Sequence, residues 1–138
     1  MENLELRVNI EKEVTEILFV LEPLNHGFIL DFICNEEVVL QLVHQNFIDQ
    51  FDKDSLKFGF GLNVTFDPEF PGDSELHEKF KLNPLCEKFI SYTWEGIPCY
   101  AIDLGKSVKY VVNTCVAVLE FLGYTENIKF ELTDEGEL

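Results

Sequence analysis

Three histidines (His26, His44, His77) and four cysteines (Cys34, Cys86, Cys99, Cys115) are the residues here that could serve as base and nucleophile. A Cys–His hydrolase needs a thiol made acidic by an electropositive, partly exposed setting, with an imidazole beside it. The cysteines stand instead in FIC, PLC, IPCY and NTCVAV, apolar settings that raise a thiol pKa. None forms the close pair of a zinc site or a CxxC redox motif. They read as small core residues; in an exported protein two disulfides would be open to them. His26, next to Gly27, reads as a turn residue, and His44, with Glu36 and Asp49 nearby, as a solvated one on a helix.

Metal chemistry has one candidate, the twelve-residue run from Asp67 to Glu78, with Asp at position 1, Glu69 at 3, Gly72 at 6, Asp73 at 7 and Glu78 at 12. That is the skeleton of an EF-hand loop. Pro71 offers no side-chain oxygen at position 5, Ser74 replaces the usual apolar residue at 8, and the preceding segment reads as strand. A solvated charge cluster is the expectation, and no metal or cofactor is called for. There is no GxSxG elbow, HExxH, phosphate loop or dinucleotide fingerprint. The run Phe58-Gly59-Phe60-Gly61 puts both glycines on one face of a strand, where they permit a bulge or the close approach of another element.

The elements that would position these groups follow from hydrophobic period. Leu4, Leu6, Val8 and Ile10 alternate with Glu5, Arg7 and Asn9, predicting a strand over 4–10. The same alternation returns at 57–66, with Lys57, Asn63 and Thr65 on the polar side, and at 128–133, with Lys129 and Glu131 there. Helical spacing predicts helices over 11–22 and 106–122, the second opened by Asp103 or Ser107 and closed by Gly123. Residues 28–34 and 97–102 read as buried strands, and 36–51 as a helix capped by Asn35, with a hairpin at Asn35-Glu36-Glu37 as the alternative. Residues 66–75, with two prolines and a glycine, read as a surface loop. The expected architecture is one α+β domain over 1–133, a mostly antiparallel sheet with helices on one face, followed by a frayed acidic tail, 134–138.

Charge narrows the partners. With 26 Asp+Glu against 10 Lys+Arg, the net charge is −16, and Arg7 is the one arginine. Such a surface repels nucleic acid and anionic membranes and draws basic proteins or cations. No stretch has the apolar length of a membrane span and the start lacks a signal peptide's pattern, so a cytoplasmic protein is expected. Trp94 and Glu95, with the nearby Tyr92, combine aromatic and acidic groups suited to anchoring a basic partner.

The closing stretch, IPCYAIDLGKSVKYVVNTCVAVLEFLGYTENIKFELTDEGEL, lays out a strand, a valine-rich helix, a turn and a last strand. With the acidity and the lack of catalytic motifs, it resembles the immunity proteins of bacterial polymorphic-toxin and contact-dependent growth inhibition systems. The resemblance implies a non-catalytic protein that captures a basic toxin domain, often a nuclease, and occludes its active site. Asp67, Glu69, Asp73, Glu75 and Glu78 are the first candidates for the contact surface, with Trp94 and Glu95 second. A small-ligand or regulatory module built on the 13 phenylalanines, and a Cys/His hydrolase, are the alternatives.

Overall fold

The computed structural model describes residues 3–51 and 58–138. Lys57, expected on the polar side of a strand, lies outside them.

The first element is a helix, α1 (Leu4–Val20), and not a strand followed by a helix. Leu6, Ile10, Val14, Ile17 and Leu21 form one buried stripe, while Leu4 and Val8 are exposed. Residues four apart fit a period of two as well as of 3.6, so a seven-residue alternation cannot separate them. The continuation through Val14 and Ile17 does. Glu5, Arg7 and Asn9 therefore lie on α1 and not on a sheet face.

Strands β1 (His26–Cys34) and β2 (Glu37–His44) form the hairpin that was the alternative to a helix over 36–51. Asn35 and Glu36 both have positive φ, 52° and 67°, as a two-residue hairpin turn of the primed type requires. Leu40, Leu42 and His44 then point to one face and are buried. β3 (Phe60–Thr65), helix α2 (Asp73–Leu82), β4 (Ile90–Trp94), β5 (Ile97–Gly105), helix α3 (Val108–Leu122) and β6 (Lys129–Glu137) complete the chain. The expected loop at 66–75 thus ends at Gly72. Ser107 Oγ accepts the Tyr110 amide at 3.2 Å, and Gly123 in the left-handed region closes α3.

The strands form one antiparallel sheet in the order β4-β5-β3-β2-β1-β6. Residues 134–137 are part of this sheet and not a frayed tail: β6 pairs along β1 as far as His26 opposite Glu137. One sheet face carries Phe28, Leu30 and Phe32 of β1, Leu40 and Leu42 of β2, Phe60, Leu62 and Val64 of β3, and Tyr100, Ile102 and Leu104 of β5; α1, α2 and α3 cover it. α1 and α3 run antiparallel, and Arg7 donates to Asn113 Oδ1 at 2.8 Å between them. Each fully buried aliphatic or aromatic side chain here contributes about 1.5–3 kcal/mol.

The opposite face is only partly wet. After β2 a 3-10 turn, Gln45–Phe47, leads into a strap whose Ile48 and Phe51 pack with Val43 and Ala101. Glycines let the strap lie close to the strand: a Cβ on Gly61 would stand 2.7 Å from Ile48 Cδ1 and 3.0 Å from Phe51 Cε2, and one on Gly59 2.6 Å from Gln45 Oε1.

His44 anchors the strap's start. It is buried on a strand, not solvated on a helix, because its face of β2 is the helix-covered one. Its Nδ1 accepts the Asn46 amide at 3.0 Å, which places the proton of the neutral ring on Nε2, and its ring lies among Phe28, Phe47 and Phe58. Among the described residues Nε2 has no hydrogen-bond partner.

Two expectations follow. Gly61→Val should destabilise the fold by about 1–3 kcal/mol in urea titration, by forcing Ile48 and Phe51 off the strand; a change below about 0.5 kcal/mol would show that the strap does not pack there. Burial lowers the pKa of His44 below its ordinary 6.5. The unfolded chain therefore takes up the proton first as pH falls, and this contribution to stability, full above 6.5, declines below it until the folded-state pKa is passed. The stability lost between pH about 7 and about 5.5 should be smaller in His44→Phe; an equal loss would refute the assignment.

Candidate functional site

The registers decide which loops meet. β1 ends at Cys34, β3 at Thr65 opposite Cys99, and β4 at Trp94 opposite Ile97, while β6 begins at Lys129 opposite Ile33. The turn at 35–36, the loop at 66–72, the turn at 95–96 and the segment 123–128 therefore lie at the same end of the sheet. Strands are about 4.8 Å apart, so β4 to β1 spans about 19 Å, within the width of one ordinary protein interface.

Of the residues expected to bind a partner, Asp67, Glu69, Asp73, Glu75, Trp94 and Glu95 stand at or beside this end. Glu78 lies a turn further along α2, where its carboxylate accepts from Lys81 Nζ at 2.9 Å, which lowers its pKa. Trp94 projects from β4, 59 % exposed. Glu75 and Glu69 are exposed, and Asp67 and Asp73 are half-buried.

Asp67 and Asp73 line a groove of about 220 Å³ together with Glu37, between walls made by Phe66, Phe70 and Tyr124. Glu37, the first residue of β2, had no signal in the sequence: the segment read as a helix, which would not have set it opposite Thr65's end of β3. The loop is tied by its own carboxylates. Asp73 Oδ2 accepts the Asp67 amide at 3.0 Å, and Asp67 Oδ1 accepts the Glu69 amide at 2.9 Å. Burial raises the Asp73 pKa, the Asp67 amide opposes this, and the Asp67 charge adds to the rise. The Tyr124 phenol is raised by burial and then by Asp73, Cys34 and Glu37, so it remains a proton donor facing the groove.

α2 holds one side of this arrangement. Asp73 and Glu75 in its first turn and Lys79 and Lys81 in its last complement the helix dipole. Phe80 is its one fully buried residue and touches Phe66, Phe89, Tyr100 and Phe121 at centroid distances of 4.9–5.6 Å. His77 stacks on Phe66 and shares a 2.6 Å hydrogen bond with Tyr100 OH.

A second concavity, about 430 Å³, lies on the strap side of the sheet, lined by Ile29, Gln41, Val43, Phe47, Asn63 and Tyr92 among others. Gln41 Nε2 donates to Asp31 Oδ1 at 2.9 Å and Tyr92 OH to Asn63 Oδ1 at 2.5 Å. Burial pushes the Tyr92 phenol up to about 12. The aromatic-rich core under the helices holds Phe28, Phe32, Phe60, Phe66 and Phe80, all buried.

The thiols sit as their sequence context implies: Cys34, Cys99 and Cys115 are buried and Cys86 half-buried, all four free. Burial raises the pKa of Cys86, Cys99 and Cys115, and Glu87 adds to the rise at Cys86. Among the described residues no three His, Cys, Asp or Glu side chains converge as metal ligands, and no helix is long and apolar enough to cross a membrane.

Phe80→Ala should cost about 3–5 kcal/mol and release α2, seen as loss of helical signal and of the Tyr124 environment in NMR spectra; a native-like spectrum would show that α2 is held by other contacts.

No protein-family model, curated protein or solved structure matches this chain.

Proposed function

We propose that this protein is a non-catalytic acidic binding module that captures a basic protein. In keeping with its resemblance to immunity proteins, the partner is a toxin domain, a nuclease being the kind such a surface suits. The supporting observation is the groove that combines Glu37, Asp67 and Asp73 with Phe66, Phe70 and Tyr124. An arginine or lysine has that double character: an apolar stem for the aromatic walls and a cationic head for the carboxylates. Asp73, raised by burial and by its neighbour Asp67, gains from a cation beside it. Glu36, Glu69, Glu75, Glu95 and Glu126 around the same end extend the field that would steer such a partner.

The test begins with capture by the immobilised full chain from lysate of its source at about 50 mM and about 500 mM salt, the retained protein being identified by mass spectrometry. A basic protein held at low salt and released at high salt is expected. The triple variant Glu37→Gln, Asp67→Asn, Asp73→Asn keeps the loop's acceptors while removing its charge. It should slow association with that protein about tenfold to a hundredfold and abolish protection of cells co-expressing it. Retention at neither salt, or an unchanged triple variant, would overturn the reading. The 430 Å³ concavity, of a size that holds small ligands, would then favour the ligand-binding alternative.

A further inference from the structure

The two edges of the sheet are built differently. β6 carries Lys129, Glu131, Asp134, Glu135 and Glu137, and its pairing with β1 shifts at a bulge near Gly136. These are the devices that keep an edge strand from pairing with another chain. β4, Ile-Ser-Tyr-Thr-Trp, has no charge, no proline and no bulge, and four of its five residues are exposed.

The hydrogen-bonding sense of that bare edge follows from its hairpin. Glu95 and Gly96 both have positive φ, 50° and 82°, in a two-residue turn, so Trp94 and Ile97 form the hydrogen-bonded pair that flanks it. Alternation makes Tyr92–Cys99 and Ile90–Ala101 hydrogen-bonded pairs too. Pro98, opposite Thr93, gives an independent check: it has no N–H to donate, and its carbonyl accepts from Phe66 on the β3 side at 3.0 Å. The amides and carbonyls of Ser91 and Thr93 therefore point outward, away from β5.

We infer that β4 is a self-pairing edge, joining two copies of this chain across a two-fold axis at Tyr92 into one continuous antiparallel sheet. In that register Ser91 of each copy exchanges both backbone hydrogen bonds with Thr93 of the other, so the outward groups of the strand are all used. Tyr92 then faces its own copy at the centre, and Ile90 of each chain lies opposite Trp94 of the other. These are the most exposed apolar side chains of the strand, at 45 % and 59 %, and aromatic and β-branched residues are favoured cross-strand neighbours. The net charge of −16 opposes self-association, so the dimer strengthens as salt screens it. One strand and its flanks make a small interface, which sets a weak dimer. Glu37 and its groove, three strands in from this edge, stay free, while Trp94 and Glu95 become dimer contacts rather than anchors for a basic partner.

Sedimentation velocity of the full chain over about a hundredfold concentration range, with amide exchange read by NMR at both extremes, tests this. Expected is a concentration-dependent monomer–dimer equilibrium in which the Ser91 and Thr93 amides become protected only at high concentration, while those of Ile90, Tyr92 and Trp94 are protected throughout. Thr93→Pro, which removes an outward N–H, should weaken the dimer about tenfold or more. Trp94→Lys, which sets a charge opposite Ile90 of the second copy at an exposed position, should weaken it likewise, which covers the case of Thr93→Pro failing to fold. A monomer at every concentration, a dimer that leaves Ser91 and Thr93 unprotected, or one indifferent to both substitutions would overturn the inference.

Discussion

One face of the sheet has to be dry, and the rest of the molecule is arranged around that requirement. Phe28, Leu30 and Phe32 of β1 share it with Leu40 and Leu42 of β2, Phe60, Leu62 and Val64 of β3, and Tyr100, Ile102 and Leu104 of β5. A slip of one residue in any of these strands would turn its large side chains to the strap side and its polar ones into the core. Register is therefore fixed by burial, and register fixes where every strand ends. The acidic loops come together at one end of the sheet because the hydrophobic pattern leaves their strands no other alignment.

That same constraint explains which elements were legible in the sequence. Strands β1, β3 and β5, the first half of β6 and helix α3 each have one period, and the α+β class followed from them. α3 even showed its cap at Ser107 and its stop at Gly123. The failures at 4–10 and 36–51 were cases where two periods fitted the same apolar residues. Leu6 and Ile10 satisfy a strand and a helix alike, and what decides between them is the continuation of the same stripe through Val14 and Ile17, which a seven-residue window does not contain. In 36–51 the deciding feature is a turn in which Asn35 and Glu36 both have positive φ; glutamate is not a residue that advertises such a turn. The acidic loop was visible as a cluster, but its partner Glu37 was hidden by the mistaken helix, and only the topology puts the two together.

Glycines show the other side of this economy. Gly59 and Gly61 interrupt a strand of phenylalanines, and a strand interior gains nothing from glycine by itself. Their use is to let Gln45, Ile48 and Phe51 lie against the sheet, so that part of the second face is dry as well. The strap begins from His44, whose ring is held neutral by burial and whose Nδ1 takes the Asn46 amide. A charged ring there would have to be solvated among Phe28, Phe47 and Phe58, so a polar residue within an apolar cluster turns the chain out of β2 without placing a charge in the core.

The gathering of carboxylates at the other end has a cost that the loop's own geometry reduces. Asp67 and Asp73 repel, yet each accepts a backbone amide, Glu69 for the first and Asp67 for the second, and Asp73 also sits in the first turn of α2, where a negative charge meets the helix dipole favourably. Both effects hold the acids in place while leaving the Asp73 pKa raised, since burial is the largest of its causes. Charges fixed in this way are preorganised: a cation entering between Glu37, Asp67 and Asp73 does not have to order the loop, and the repulsion already present becomes part of its attraction. The anchoring of α2 by the buried Phe80, with Leu76 and His77 beside it, ties that electrostatic arrangement to the core, so packing and charge at this end of the sheet are linked.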